Sequence, residues 1–391
     1  MENFTFYNPT KLHFGKGVLD KLGSTAKEYG TKALLVYGKG SIKNNGIYDK
    51  VIEEFASSGI RFVEYEGIQP NPLVDDVDAA VEKGREFGAE FIVAVGGGSV
   101  IDSGKGIALT IPSGKKAWDF YTHKEKPQNS LPLLAVLTLA ATGTEMNPVS
   151  VLQNHETGQK IGYGNPLMFP AHSFLDPENT YSVNRAYTAY GIADLTAHSL
   201  EEWFGKGHAG LSDRIVISII KEAMEYGPGL LDNLKSYDLR ARIMYAATLA
   251  LNGLTNNGRI SGDWGVHALG HEMSLLYDVP HGASLTIAYP AWLKLHKQKL
   301  EKRILELGDA LFGTKTAEDT ITQLEMFFTN IECPIRLNDI GISQQEHKNA
   351  LLKSMNKNKA QGIHHKLSDT DRAEIIELMS LITVDPDELD I

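Results

Sequence analysis

Phe-Ile-Val-Ala-Val-Gly-Gly-Gly-Ser-Val-Ile-Asp, residues 91–102, is the stretch that decides the fold. Residues 91–95 are a short, wholly apolar run, typical of a strand buried on both faces, and a helical pattern follows over residues 99–109. The glycines between them predict a turn whose backbone N–H groups and helix N-terminus attract phosphate, because glycine lets a phosphate approach the backbone closely. A tight turn that binds nothing needs only one or two glycines, so three favour a phosphate or dinucleotide site at residues 96–99.

A second glycine turn, Gly38-Lys39-Gly40-Ser41-Ile42-Lys43, also follows an apolar run. It is not the standard dinucleotide fingerprint, because Lys43 stands where the third glycine belongs. No P-loop is present in the sequence either. Alone this turn is a weak signal, but it gains weight from the glycine turn at residues 96–99.

The first half of the chain alternates strand and helix patterns, which predicts parallel βαβ units. Strands are predicted over residues 33–37, 61–65, 91–95 and 133–137, and helices over residues 45–57, 75–87 and 99–109. Long helices dominate from residue 184 onward, with predicted spans of 187–204, 213–226 and 238–254. Turn residues cluster at 176–179, so we expect an α/β domain over residues 1–180 and an α-helical domain over residues 181–391.

Composition excludes several classes of protein. The chain has 391 residues, 42% hydrophobic and 22% charged, and a net charge of −11, which argues against general attraction to nucleic acid or anionic lipid. The single cysteine, Cys333, excludes an intramolecular disulfide and a cysteine-built zinc or iron–sulfur site. No apolar run reaches the ~18 residues of a membrane span, and the first nine residues do not form a signal peptide. We therefore expect a soluble, cytoplasmic protein.

A set of histidines and one aspartate has the spacing of metal ligands. Asp194 and His198 are four residues apart on a predicted helix and share one face, as do His267 and His271, and His281 follows. The surroundings of the first pair are rich in alanine and leucine, where an ionised carboxylate is costly to bury unless it is paired or metal-bound. One such histidine alone is more often a hydrogen-bonded core residue, but the whole set favours a metal site. It is not a metalloprotease motif, because Ala268 takes the place of the glutamate base.

Together these segments resemble the iron-containing (group III) alcohol dehydrogenases, closest to their butanol dehydrogenase and broad-specificity aldehyde reductase branch. The resemblance runs nearly end to end and rests on residues 7–17, 96–102, 138–145, 194–198 and 267–281. Two positions depart from the family pattern: Ala140, where some members have proline, and Thr144, where many have serine. The first could loosen its loop, but neither change removes a functional group.

The resemblance implies a fold, an activity and a set of site residues. The fold is an α/β N-terminal dinucleotide-binding domain with a Rossmann-like parallel sheet, plus an all-α C-terminal metal-binding domain, as in dehydroquinate synthase. The activity is hydride transfer between NAD(P)H and short- to medium-chain aldehydes such as butanal, by a homodimer. Metal ligands would be Asp194, His198, His267 and His281, and His271 would be the catalytic proton relay. Cofactor-binding residues would be Gly38, Gly40, Ser41, Asn71, Gly97, Gly98, Ser99, Asp102, Thr138, Thr142, Asn147 and Lys160.

The residues also indicate which cofactor and metal to expect. Sites that prefer NAD place a carboxylate on the ribose 2′-hydroxyl, but residues 38–43 contain no acid, and Lys39 and Ser41 could meet a 2′-phosphate. We therefore expect NADP(H) to be preferred over NAD(H). One carboxylate and three imidazoles suit several divalent metals. Four protein ligands fill a tetrahedron, whereas catalysis needs an open position, so Fe(II) is expected first, with Co(II) or Zn(II) as alternatives.

Other functions remain open at this stage. A polyol dehydrogenase or a dehydroquinate-synthase-like lyase would share the architecture, although residues 138–145 and 267–281 favour the alcohol dehydrogenase branch. A metal-dependent hydrolase without a nucleotide is disfavoured by the two glycine turns. A non-catalytic binding protein is disfavoured by the concentration of ionisable residues in apolar surroundings, which would destabilise a fold that made no use of them.

Overall fold

The computed structural model describes residues 1–380. Within these residues the chain forms eight β-strands and fourteen α-helices. The strands are β1 (Lys11–Phe14), β2 (Lys32–Tyr37), β3 (Arg61–Glu66), β4 (Phe91–Gly96), β5 (Leu133–Leu137), β6 (Val149–Asn154), β7 (Gln159–Gly164) and β8 (His172–Leu175). The helices are α1 (Leu22–Ala26), α2 (Ser41–Asn44), α3 (Ile47–Ser58), α4 (Val74–Phe87), α5 (Gly98–Thr110), α6 (Ala117–Tyr121), α7 (Arg185–Trp203), α8 (Gly210–Asp232), α9 (Tyr237–Ala250), α10 (Gly265–Tyr277), α11 (His281–Leu311), α12 (Ala317–Asn330), α13 (Gln345–Asn358) and α14 (Asp369–Leu378).

Two compact units emerge from the contacts along the chain. The sheet unit comprises Phe6–Thr188 and Asn233–Gly253, and therefore includes α9. The helical unit comprises Met1–Thr5, Ala189–Asp232 and, within the described residues, 254–380. Strands alternate with helices in the first unit and helices dominate the second, which confirms the predicted fold class of a parallel α/β sheet followed by a helical region.

The sheet unit is built on parallel strands in the order β1-β8-β5-β4-β2-β3, six strands in the described part of the chain. Alternate residues of the central strands enter two cores on opposite faces of the sheet. Ile92 on β4 joins a cluster with Val77 and Ile101, whereas its neighbour Val93 joins a cluster with Val51 and Phe55. All six are fully buried, and each such side chain contributes about 1.5–3 kcal/mol relative to exposure. Burial on both faces is why these strands are continuously apolar.

The order of the strands places the glycine turns together. Strand β3 pairs with β2 on one side, and β4 pairs with β2 on the other side. The sheet therefore has its topological switch between β2 and β4, and open α/β sheets bind ligands outside the carboxyl ends of the strands at such a switch. Gly38 follows β2 and Gly96 ends β4, so both predicted turns lie at this position.

Several elements are absent from the sequence prediction. Strands β1 and β8 pair with each other in parallel, and β6 and β7 form an antiparallel hairpin; none of the four was predicted. The predicted end of a helix at residue 226 is wrong, because α8 continues through Pro228 to Asp232. Gly227 lets this part of α8 approach Ile192 on α7, since a Cβ at Gly227 would lie 3.1 Å from the Ile192 side chain. Packing there outweighs the helix-breaking tendency of proline.

In the helical unit, α7 supplies a long and mostly buried helix, and α10 and α11 pack against one another. In the described part of the chain, no helix is both long and apolar enough to cross a membrane.

Candidate metal centre and cofactor site

The helical unit brings together the predicted metal ligands. Asp194 and His198 lie one turn apart on α7, with 3.7 Å between Asp194 Oδ1 and His198 Nδ1. The same Asp194 oxygen lies 4.0 Å from His267 Nε2 on α10 and 3.6 Å from His281 Nε2 at the start of α11. Ligand atoms of Asp194, His267 and His281 all lie within 4.8 Å of one another, a spacing that one metal ion could bridge. Three helices thus contribute to one cluster.

His198 adjoins this cluster beside His267. The two imidazoles stack with centroids 4.7 Å apart and planes 22° apart. Burial, together with the neighbouring His267, holds the pKa of His198 well below its ordinary value, so the ring is neutral, which is the form that binds metal. Within residues 1–380, the buried His198 Nδ1 has no hydrogen-bond partner. A buried polar atom in this state is expected where a metal or an ordered water completes the site.

The donor set fits a divalent metal. One carboxylate and three imidazoles, without thiolate, suit Fe, Co, Ni, Mn or Zn. The cluster is closed on one side and accessible on the other, because the Asp194 side chain is 2% exposed and the His281 side chain 25% exposed. A catalytic metal needs such an accessible position for its substrate.

Glu201, which the sequence analysis did not select, contacts a predicted ligand directly. Its Oε1 accepts hydrogen bonds from the His267 backbone N–H at 3.0 Å and from His267 Nδ1 at 2.9 Å. Burial raises the pKa of Glu201 to about 8. With Nδ1 engaged, the Nε2 atom of His267 is the one directed towards Asp194. Metal-bound histidines are commonly oriented by a carboxylate in this way.

Trp264 also packs against the predicted ligands. Its ring lies 5.2 Å from that of His267 and 6.1 Å from that of His198, between ring centroids. Trp264 precedes α10 with a φ of +64°, in the left-handed region that bulky residues rarely adopt. Such a conformation costs on the order of 1–3 kcal/mol and occurs most often at functional sites. It places the indole beside two imidazoles, edge-on to His267 and tilted to His198.

His271, the predicted proton relay, lies on α10 one turn after His267. Its ring centroid is 5.6 Å from that of His281. It is not a member of the group formed by Asp194, His267 and His281, and it is partly exposed.

In the sheet unit, the glycine turn at the end of β4 packs closely against the segment after β5. A Cβ added at Gly98 would lie 2.8 Å from Thr142 Oγ1, and one at Gly97 would lie 3.1 Å from Leu139 Cβ. Helix α5 begins at Gly98, so its first N–H groups face the carboxyl edge of the sheet. The glycines are therefore needed both for a phosphate to approach and for the neighbouring segment to fit.

The second turn lies beside the first. Gly40 has a φ of +93° and precedes the short helix α2, which begins at Ser41. Lys39 and Ser41 are exposed. Lys43, by contrast, pairs with Glu66 at 2.7 Å and lies 5.1 Å from the centre of the Tyr37 ring. Both lysines are exposed, but within residues 1–380 only Lys43 is held in an ion pair, which leaves Lys39 as the cation of this turn that could meet a ligand.

Two other predicted cofactor residues contact each other. Lys160 Nζ on β7 donates a 2.6 Å hydrogen bond to Asn71 Oδ1. Asn71 is buried and has a φ of +55°, which asparagine tolerates better than most residues. The contact ties the loop after β3 to the β6–β7 hairpin.

Asp102 lies beneath the turn and its carboxylate is fully engaged. Its Oδ1 accepts a hydrogen bond from Thr144 Oγ1 at 2.6 Å, and its Oδ2 accepts one from the Val151 backbone N–H at 2.9 Å. Lys105, one turn further along α5, is also buried and was not predicted as a site residue. It donates to Thr144 and to Asn147, which is itself in the predicted cofactor set.

Comparison with known proteins gives two matching family models. Residues 9–177 match the family model for iron-containing alcohol dehydrogenase, and residues 188–382 match the model for the C-terminal region of Fe-containing alcohol dehydrogenases. The chain is 38% identical to "Probable NADH-dependent butanol dehydrogenase 1" of Bacillus subtilis, over 97% of this chain and 99% of that protein. It is 33% identical to the NADPH-dependent aldehyde reductase YqhD of Escherichia coli, over 88% of this chain and 90% of that protein.

Among solved structures, the crystal structure of NADH-dependent butanol dehydrogenase A from Thermotoga maritima aligns with a TM-score of 0.94 and 34% identity. The alignment covers 97% of this chain and 99% of that one. These matches confirm the predicted family. The chain therefore belongs to the iron-containing alcohol dehydrogenase family, whose members are oxidoreductases that use NAD(P)H and a divalent metal.

Proposed function

We propose that this protein is a metal-dependent alcohol dehydrogenase that reduces short- to medium-chain aldehydes such as butanal with NAD(P)H. The observation that best supports this function is the convergence of Asp194, His267 and His281, with His198 alongside, in a chain of this family. The names of the relatives support the substrate class, since they include butanol dehydrogenases and an aldehyde reductase. In the reaction, one aldehyde, one NAD(P)H and one proton give one alcohol and one NAD(P)⁺.

Each set of residues has a distinct part in this reaction. Asp194, His198, His267 and His281 would hold one divalent metal ion, and a bound metal supplies Lewis-acid polarisation of a carbonyl group. Fe(II) is our first choice, with Co(II) or Zn(II) as alternatives. His271 delivers the proton to the product oxygen.

The cofactor is bound by the sheet unit. Gly97, Gly98 and Ser99 bind the pyrophosphate at the N-terminus of α5. Ribose and nicotinamide contacts come from Thr138, Thr142, Asn147 and Lys160. Reduced nicotinamide supplies the hydride, and the protein supplies its orientation. We also propose the domain limits of residues 1–180 for cofactor binding and 181–391 for metal binding, a homodimer, and a cytoplasmic location.

We further propose that NADP(H) is preferred over NAD(H). Support comes from the turn at residues 38–43, which has no acid to meet a ribose 2′-hydroxyl and which exposes Lys39 and Ser41. Lys43 is held by Glu66, so the preference rests on Lys39. Relatives of both kinds exist, named as NADH-dependent and as NADPH-dependent.

The test is oxidation of NADPH, and of NADH in parallel, by chelator-stripped protein with butanal under anaerobic conditions. Fe(II), Co(II) or Zn(II) is supplied separately, and loss of absorbance at the reduced-nicotinamide band is followed. We expect metal-dependent oxidation, fastest with Fe(II) and with NADPH. Absence of oxidation with every metal, across several aldehydes, would refute the proposed function.

A further inference from the structure

Lys105 is a lysine enclosed within the sheet unit. It is 0% exposed and lies on α5, two turns after the glycine turn. Burial lowers its pKa to about 8, against the opposing effect of Asp102 and Glu145. Removing an ammonium group from water costs several kcal/mol, so its hydrogen bonds must be well formed.

The three protons of the ammonium group have three acceptors. Lys105 Nζ lies 2.6 Å from Thr144 Oγ1, 3.1 Å from Asn147 Oδ1 and 2.6 Å from the Val149 carbonyl oxygen. All three belong to the chain that leaves β5 and enters β6. Between these strands, residues 138–148 contain only the 3-10 turn Thr144–Met146 as regular structure. Lys105 therefore joins α5 to a segment that has few backbone hydrogen bonds of its own.

The contacts continue beyond the lysine. The Thr144 hydroxyl accepts from Lys105 and donates to Asp102 Oδ1, so a single hydroxyl links the cation to the carboxylate. Asn147 accepts from Lys105 through Oδ1 and donates through Nδ2 to the Gly143 carbonyl oxygen at 3.0 Å. The ammonium group thus fixes both ends of residues 143–147. Thr142, directly before them, packs on Gly98.

We propose that Lys105 is a positioning residue for the nicotinamide half of the cofactor, because its ammonium group holds residues 138–149 against the helix that binds the pyrophosphate. This inference rests on the proposed function, in which Thr138, Thr142 and Asn147 contact ribose and nicotinamide. Lys105 itself reaches the cofactor only through that segment. Loss of the ammonium group should therefore affect the nicotinamide end of the cofactor more than the adenosine diphosphate end.

The experiment compares binding of NADPH and NADH with binding of ADP, which lacks the nicotinamide half. Lys105→Met keeps the length of the side chain and removes the charge. We expect the Kd of the preferred cofactor to rise by about tenfold or more, as for loss of hydrogen bonds from a charged group, and the Kd of ADP to change by less than about twofold. Lys115→Met is the matched control, because Lys115 pairs with Glu125 at the surface of the same unit, and it should bind both ligands as wild type does.

A second pair of variants guards against misfolding of Lys105→Met. Thr144→Val removes the hydroxyl with little change in volume and should weaken cofactor binding in the same selective way, whereas Thr144→Ser restores the hydroxyl and should recover most of the affinity. An equal loss of ADP and cofactor binding in Lys105→Met and Thr144→Val would show a merely structural role, and unchanged cofactor binding would also overturn the proposal. Failure of the wild-type protein to bind NADPH or NADH would instead refute the proposed function, and this inference with it.

Discussion

Replacing Glu201 with alanine should weaken metal binding, although the variant retains all four proposed metal ligands. Both hydrogen bonds that orient His267 converge on one oxygen of Glu201, at 2.9 and 3.0 Å. Loss of a partner that orients a ligating histidine typically lowers metal affinity by about 10- to 100-fold. This corresponds to about 1.4–2.7 kcal/mol of binding free energy. Glu201→Gln can still offer one oxygen to both donors, so its metal affinity should lie between those of Glu201→Ala and wild type.

The assay is competition between a chelator of known affinity and the stripped protein for Co(II) or Zn(II). Glu272→Gln is the control, because Glu272 is a buried carboxylate on α10 that bonds Ser354 and Asn358. It should keep the metal affinity of wild type even if the protein is destabilised. Thermal unfolding of the metal-free proteins shows whether each variant is folded at the temperature of the titration. Wild-type affinity in a folded Glu201→Ala variant would refute the assigned orientation of His267.

Four further outcomes are expected. Gly98→Ala should lower the free energy of unfolding by about 1–3 kcal/mol, since its Cβ would lie 2.8 Å from Thr142, and should also weaken cofactor binding in a direct titration. Gly104→Ala on the same helix should lower only the melting temperature. His271→Ala should slow turnover in steady-state assays yet bind one metal ion per chain by elemental analysis; loss of that metal would show that the ligand set is misassigned. Lys39→Ala should lower kcat/KM for NADPH by about tenfold, as expected for the loss of one charged contact to phosphate, and should change kcat/KM for NADH little. An equal effect on both cofactors would remove the basis for the NADP(H) preference. Burial, with His365 and Lys299, lowers the pKa of His296 from 6.5 to about 4, so the folded protein binds fewer protons than the unfolded chain between these pH values. The protein should therefore lose stability as the pH falls from about 6.5 to 4. His296→Phe should show a smaller loss in urea unfolding, and an unchanged loss would contradict the assigned pKa.

The central sheet could be predicted because its strands are buried on both faces and so carry the signal locally. Strands β2, β3, β4 and β5 begin and end within about a residue of the predicted bounds, well inside the usual boundary error. Strands β1 and β8 are four residues each and include His13 and His172, whose rings meet across the strands. Their pairing depends on a contact between distant parts of the chain, which no local apolar pattern reveals.

The candidate metal ligands could be selected because helical spacing places Asp194 with His198, and His267 with His271, on common faces. Glu201 and Lys105 could not be selected by the same argument. Each is a charged residue in a helix, and charged residues are most often at the surface. Only tertiary packing shows that both are buried and which groups they hold.

The most direct test of the account is a titration of metal-stripped protein with Fe(II) or Co(II), with butanal reduction by NADPH or NADH followed at each addition. The account predicts that activity rises linearly and saturates at one metal ion per chain, and that Asp194→Ala gains no activity although it still binds the cofactor. Full activity in the stripped protein, or restoration of Asp194→Ala by stoichiometric metal, would contradict the claim that the Asp194 and histidine cluster is the catalytic metal centre.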